Sequence, residues 1–358
     1  MQTKSKRSHL SEEETEIFLR DGVLVVEDAL TETEVQEALN ELHNTLSQFG
    51  VKSLEIDDKE SAKALQGLSS TNGSGGVLDI FYEDWKMEIS TKANIFRMTT
   101  QLWKASLFDD SKPNHPYGVF DSEKGYAYID RICYRLPTRL SKELGDGINK
   151  ERKKRARPIQ RSLTPHLDCC PDKMYKDVAK WRPLQCFVSL TDSLDANTGG
   201  FEAAKGFHAE FETWKSTRLP AQVSRKEKGV ETTVLVPATC VGEYTHIRPR
   251  EDREVMERVQ HIPVSAGSVV FWDVRIPHAN AYLHNGTVPR AVVYCSFLPD
   301  IELNRVYVKE QLRKYYAKKP ITDQWNGLHG QQSDEEESQQ TNYQFSALGR
   351  KLMGIDPW

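Results

Sequence analysis

The sequence predicts a mainly β fold, a jelly roll of short strands, with α-helices at its N-terminal end and on its flanks. Between about residues 120 and 300 the apolar runs are short and separated by turn residues, as in LQCFVSLTD, TTVLVPA, HIPVSAGSVVFWDVRI and PRAVVYCSFLP. Strands of that length with irregular connections suit a sandwich or jelly roll. No long helical pattern alternates with them, which a parallel α/β sheet would require.

Taken in order, the chain opens with a helix. Ser11 precedes Glu12-Glu13-Glu14, an N-cap followed by acids in the first turn, with Ile17 and Phe18 as its apolar residues and Gly22 as its stop. VLVVEDAL then reads as a short buried strand. Thr31 caps a second helix, ETEVQEALNELHNTL, in which Val35, Ala38, Leu39, Leu42 and Leu46 share one face. Residues 51–76 end in SSTNGSGG, a flexible turn or loop by composition, and about 78 to 108 is more helical than not. GYAYIDRICYRLP is an alternating strand with Tyr128, Arg131 and Tyr134 at its polar or half-polar positions. The basic run Lys150 to Arg161 reads as a loop, QQSDEEESQQT as a mobile acidic loop, and FSALGRKLMGIDPW as a short amphipathic helix. No internal repeat is visible. One domain, 1–358, is expected: an N-terminal helix and strand over 1–50, a jelly-roll core over 120–300, and a C-terminal extension over 301–358 with its acidic loop at 331–341.

Bulk properties narrow the function. With 38% hydrophobic and 28% charged residues the composition is that of an ordinary folded protein rather than a disordered one. A net charge of −4 gives no global pull toward nucleic acid or an anionic membrane. No window approaches a membrane span, and MQTKSKRSHLSEEE lacks the apolar stretch of a secretory signal. The six cysteines form no C-x-x-C pair. An intracellular, cytoplasmic protein with reduced cysteines follows as the expectation.

The chemistry centres on His166-Leu167-Asp168. On a strand, residues i and i+2 share a face, so this imidazole and carboxylate suit one metal ion. Alone the pattern is weak, because chance supplies about one or two His-x-acid pairs in such a composition. The chain holds a second pair, His208-Ala209-Glu210, which follows a Gly-rich turn and reads as structural. Two histidines and one carboxylate leave three positions open on Fe(II). His278 supplies the third ligand, at the end of the apolar strand from Ser268 to Ile276, and the next strand begins at Pro289-Arg290. A reversal brings Arg290 back toward His278, where its planar guanidinium suits the far carboxylate of 2-oxoglutarate. His284 is the alternative distal ligand, in a worse position within LHNG; His246 and His261 read as surface or edge residues.

These residues resemble the phytanoyl-CoA dioxygenase family of Fe(II)/2-oxoglutarate oxygenases. The resemblance runs from FLRDGVLVVEDALTETEVQEAL through His166-Leu167-Asp168 and LQCFVSLTDSLDANTGGFEAAKGFH to FWDVRIPHAN and the arginine of VPRAVVYCSF. It implies a double-stranded β-helix (cupin-like) fold, with His166, Asp168 and His278 as iron ligands and Arg290 as cosubstrate anchor. It also implies that Asn280 touches the oxoacid, and that Fe(II), 2-oxoglutarate and O₂ are used together to oxidise a substrate C–H bond. Two departures stand out: the long basic segment before His166, and KGFH in place of the small-residue turn of relatives. Asp168 argues against halogenation, since relatives that halogenate carry a small residue there.

The leading expectation is hydroxylation of a small, anionic organic molecule, with oxidative cyclisation or desaturation as runner-up. A protein- or nucleic-acid-modifying oxygenase ranks lower, nucleic acid not being an expected partner, and a catalytically silent jelly-roll binding module is the rival from another class. Arg131, Tyr134 and Trp272 are the candidate substrate contacts, and Cys169 and Cys170 are read as small residues lining the cavity wall. The basic run containing Arg152, Lys153, Lys154, Arg155 and Arg157 reads first as a solvated loop. Its alternatives are a nuclear-import patch and a lid attracting an anionic substrate.

Overall fold

The computed structural model describes residues 6–55, 57–149, 157–218, 221–227, 230–236, 240, 243–320 and 343–358. Two sheets form its centre, and their strands are numbered here in chain order: β1 (Val23–Val26), β2 (Val77–Leu78), β3 (Gly125–Arg135), β4 (His166–Leu167), β5 (Leu184–Ser189), β6 (Phe201–Ala203), β7 (Thr245–His246), β8 (Gln260–His261), β9 (Val269–Asp273), β10 (His278–Asn280) and β11 (Arg290–Pro299). The larger sheet has the order β1-β9-β5-β11-β3-β2 and the smaller β7-β4-β10-β6-β8. Every pairing within them is antiparallel. The TTVLV part of the run TTVLVPA falls in a separate two-stranded ribbon, Ala221–Glu227 with Val230–Val236.

Alternation along the strands decides the layers. Phe187, Val270, Trp272, Val292 and Cys133 point from the larger sheet into a core shared with Leu167, Phe201 and Ala203 of the smaller one. Their neighbours Cys186, Val188, Val269, Phe271, Ala291, Val293, Ile132 and Tyr134 point the other way, into a second core under the helices. The larger sheet is therefore buried on both faces. The half-polar positions expected along GYAYIDRICYRLP give no solvent face: Tyr128, Arg131 and Tyr134 are all buried.

That outer apolar face needs a cover, and the cover makes helix outweigh strand in the described residues. The mainly β expectation holds for the core and not for the chain. Helix Glu12–Asp21 starts as read, with the Ser11 hydroxyl accepting from Glu14 N–H, Glu14 accepting from Ser11 N–H, and Gly22 ending it at φ +66°. Helix Glu32–Gln48 repeats the reciprocal cap at Thr31 and Glu34 and buries Val35, Ala38, Leu42 and Leu46. Helices Asp84–Ser90 and Ala93–Ser106 fill the region read as mixed. Helices Lys59–Leu68, Thr138–Asn149 and Glu302–Tyr316 were not expected. The first and last are held by a few buried residues, Ala62 and Leu65 in one, Val308 and Tyr315 in the other. Helix Ala347–Leu352 matches the amphipathic end of the chain, where Trp358 Nε1 donates to Gly125 O at 2.8 Å. Most of the basic run (150–156) and the acidic loop at 331–341 lie outside the described residues. Among the described residues no helix is long and apolar enough to cross a membrane.

The stretch SSTNGSGG is no flexible loop. Ser70–Gly73 forms a 3₁₀ turn, and the backbone beyond it is tied on both sides. Gly75 N donates to Arg161 O at 2.9 Å, Arg161 N to Gly73 O at 2.8 Å, and Tyr134 N to Gly76 O at 2.9 Å. At Gly76, φ is +75° and a Cβ would sit 2.7 Å from Arg135 Cα, so only glycine fits. Compositional reading sees the glycines and misses that a neighbouring strand is what requires them.

Replacing Gly76 with alanine should destabilise the fold by about 2 kcal/mol or more. Gly67→Ala, inside a helix with open space around its Cα, should be neutral or stabilise by up to about 1 kcal/mol. Urea denaturation of the two variants compares them directly; equal effects would contradict the account of this turn.

Candidate metal centre

His166 and His278 are direct partners in the β4–β10 pairing. Residues opposite one another across an antiparallel pair carry their side chains on one face a few ångströms apart, and the two ring centroids are 4.5 Å apart. Asp168 lies just past the end of β4, two residues beyond His166, and turns its carboxylate to the same place. Asp168 Oδ1 is 3.6 Å from His166 Nε2, and Asp168 Oδ2 is 3.5 Å from His278 Nε2.

The imidazoles are oriented in the same way. His166 Nδ1 lies 3.0 Å from Thr164 O and His278 Nδ1 lies 2.9 Å from Ile276 O, each the carbonyl two residues back. A carbonyl only accepts, so each Nδ1 carries the hydrogen and each Nε2 presents a lone pair. Two lone pairs and a carboxylate thus face one point, an arrangement that is repulsive unless a cation lies among them. Three ligand atoms held about 2.1 Å from one ion lie about 3.0–3.4 Å apart, close to the spacing seen. The donor set fits a divalent metal.

Electrostatics agree. Burial, with His278 as a second cause, pushes the His166 imidazole down to about 4, so the ring is neutral as a metal ligand must be. Burial alone would raise the Asp168 carboxyl, and the nearby Arg182 guanidinium works the other way, favouring its charged form. Arg182 Nη2 is 4.0 Å from Asp168 Oδ2 while its Nη1 is 3.2 Å from Asp130 Oδ2.

The triad opens on a cavity of about 540 Å³. His166, Asp168, His278 and Asn280 line it, with Phe201, Trp272, Tyr294 and Leu163 as apolar or aromatic wall. Asn280 sits two residues after His278 on β10, and its Oδ1 accepts from Arg290 Nη1 at 3.0 Å. Arg290 comes from the opposite sheet, is 2% exposed, and stacks its guanidinium 5.2 Å from the centre of the Phe187 ring. It stands behind Asn280 rather than on the cavity wall.

Of the expected substrate contacts, Arg131 and Trp272 line the cavity. Tyr134 does not. Its position corrects the expectation, for it is out of step with Cys133 on β3 and packs into the outer core, its ring 6.1 Å from that of His43. The spare histidines are also accounted for. His208 Nε2 meets Leu19 O at 3.0 Å, His246 Nδ1 meets Thr164 Oγ1 at 3.2 Å, and His261 Nε2 meets Leu194 O at 3.2 Å. His284 is buried and its Nδ1 accepts from Gly286 N at 3.2 Å. Residues the sequence reading missed include Tyr244, Arg182, Asp130, Gln185, Arg161 and the Ser70–Ser74 turn, all on the cavity wall. They come from five separate stretches of chain, so no local signal groups them.

Cys170 is bonded to Cys240, which corrects the expectation of reduced cysteines throughout; Cys133, Cys169, Cys186 and Cys295 are free and buried. The bond draws the segment before β7 to within two residues of Asp168. Thr245 Oγ1 donates to Cys169 O at 2.8 Å, Lys180 Nζ meets Glu243 Oε2 at 2.8 Å, and the Tyr244 ring stacks on His166 with centroids 5.0 Å apart. Spacing could not reveal this pair, because the cysteines are separated by 70 residues.

A family model described as Gig2-like matches residues 214–355, less than half of the chain, and it is not the family that the motifs resemble. No curated protein matches the sequence. Among solved structures, the crystal structure of GlcNAc Inducible Gene 2, GIG2 (DUF1479), from Candida albicans aligns with a TM-score of 0.66 at 16% identity over 99% of this chain and 78% of that one. A hypothetical protein, JW0805, from Escherichia coli aligns with a TM-score of 0.60 at 14% identity over 99% of this chain and 86% of that one. At such identities the likeness is one of fold.

A closed loop of this length stabilises a fold by about 2–4 kcal/mol in most measured cases. Cys240→Ser should lower the unfolding free energy by that amount. Dithiothreitol should shift wild type equally and leave the variant unchanged; a wild type indifferent to reductant would contradict the bond.

Proposed function

We propose that this chain is an Fe(II)/2-oxoglutarate-dependent oxygenase that hydroxylates a C–H bond of a small, anionic organic substrate. The observation that carries the proposal is the pair of Nδ1-tethered imidazoles whose Nε2 lone pairs converge on Asp168 beside an open cavity. Two histidines and one carboxylate, with the remaining positions free, suit Fe(II) and a bidentate oxoacid. The strand order also supports it. From β3 onward, successive strands alternate between the sheets as larger, smaller, larger, smaller, leaving β7 aside, then smaller, larger, smaller, larger. That course supports a double-stranded β-helix, the fold implied by the phytanoyl-CoA dioxygenase resemblance.

When bound, iron with 2-oxoglutarate and O₂ supplies the oxidising chemistry, which belongs to the cofactor. The chain supplies position and surroundings. His166 and His278 donate neutral nitrogens and Asp168 one negative charge. The carbonyls of Thr164 and Ile276 fix the two rings, as outer partners of metal-binding histidines do. Asn280, on the cavity wall, is assigned to the far carboxylate of 2-oxoglutarate, and Arg290, hydrogen-bonded to it from behind, adds the positive charge that favours a carboxylate there. Phe201, Trp272 and Leu163 keep water from the metal side of the cavity. Arg131 is assigned to the substrate.

Anaerobic addition of Fe(II) and 2-oxoglutarate should produce the weak visible metal-to-ligand charge-transfer band of this cofactor pair. His166→Ala should abolish the band. Arg290→Ala should retain it but raise the 2-oxoglutarate concentration needed by about tenfold or more, the cost of removing one charged hydrogen-bonding partner. No band from wild type with iron bound would refute the cosubstrate.

A further inference from the structure

The basic run before His166 ends at Arg161, which is described, and this residue does not belong to a solvated loop alone: it lines the same cavity as the triad. Its side chain is exposed, and its Nη2 donates to Thr71 O at 3.1 Å and to Ser74 Oγ at 2.9 Å. The backbone on both sides is fixed through the pairing of Arg161 with Gly73 and Gly75. Thr71, Ser74 and the buried Ser70 line the cavity next to it. Arg131 lines it too, 8% exposed, with Nε donating to Asp79 Oδ1 at 2.7 Å.

Polarity is unevenly spread over this wall. The lining holds Arg131, Arg161 and Arg182 with Asp130 and Asp168, and Arg131 is held from behind by Asp79. Asp168 belongs to the metal triad and Asp130 pairs with Arg182. The hydroxyl-bearing turn and the Arg161 guanidinium form a polar end of the cavity. Phe201, Trp272 and Leu163 make other parts of the wall apolar.

We propose that Arg161, with Arg131 and the Ser70–Ser74 turn, forms a subsite for an oxyanion of the substrate, a carboxylate or a phosphate. It rests on the reading of the triad as an iron site, and it makes the substrate a small molecule whose anionic group lies apart from the carbon that is oxidised. Guanidinium donors and hydroxyls recognise both oxyanions. The SSTNGSGG turn would then act as the scaffold that aims Arg161, which explains why so polar a segment is pinned by glycines against Arg135.

The test loads the full chain with Mn(II) and 2-oxoglutarate and measures the ³¹P relaxation of inorganic phosphate and the ¹H relaxation of acetate. Free Mn(II), followed by electron paramagnetic resonance, reports metal affinity in the same samples. The proposal expects saturable relaxation of at least one of the two anions in wild type, weakened about tenfold in Arg161→Met with Mn(II) affinity retained, which also shows that the variant folds. The stronger of the two responses identifies the oxyanion. Bound Mn(II) with neither anion relaxed overturns the subsite and leaves the metal assignment standing. Relaxation unchanged in Arg161→Met places the anion on the metal itself and also overturns the subsite. Failure of Mn(II) to bind wild type, or binding untouched by His278→Ala, overturns the iron reading instead.

Discussion

The site depends on one cross-strand pair, His166 opposite His278. Because the two histidines face each other across β4 and β10, their rings share one side of the smaller sheet without help from any loop. Each ring is then turned by a hydrogen bond to a carbonyl two residues back, so the tautomer is set by the strand that carries it. Asp168 needs only to follow His166 by two residues to complete the set. Burying a carboxylate beside two unprotonated nitrogens is unfavourable in the absence of a cation, and that cost is what suits the arrangement to a metal ion. The strap through Tyr244, tied down at Cys170–Cys240, closes the open side of His166.

The rest of the fold serves to hold the second sheet against this one. Arg290 reaches from the larger sheet to Asn280 on the smaller, and Phe187 packs against both its guanidinium and the aromatic wall at Phe201 and Trp272. The helices over the outer face let the larger sheet be apolar on both sides, which frees its inner face to carry arginines. A polar inner face on a singly covered sheet would leave too little apolar area to hold the layers together.

Much of this was legible in the residues. Reciprocal caps at Ser11–Glu14 and Thr31–Glu34 announce two helices because capping is a local interaction. The β5, β9 and β11 runs are apolar enough to read as strands, and the triad follows from spacing joined to strand ends. What was hidden is what depends on distant partners. Helices Lys59–Leu68 and Thr138–Asn149 are amphipathic, but glycines inside them, Gly67 in one and Gly145 and Gly147 in the other, read as helix breakers, and the glycines of SSTNGSGG look like flexibility until Arg135 is seen against them. Tyr134 and Cys133 differ by one residue and face opposite layers, a distinction that register alone makes. The Cys170–Cys240 bond and the meeting of Arg161 with Ser74 join segments far apart in the chain, so composition carries no trace of them.

A crystal structure of the protein grown anaerobically with Fe(II) tests the central claim most directly. The account predicts one ion about 2.0–2.2 Å from His166 Nε2, His278 Nε2 and an oxygen of Asp168, with its remaining positions facing the cavity and both Nδ1 bonds to backbone carbonyls kept. Iron held elsewhere, or the two Nε2 atoms hydrogen-bonded to protein or water with no ion between them, would contradict it.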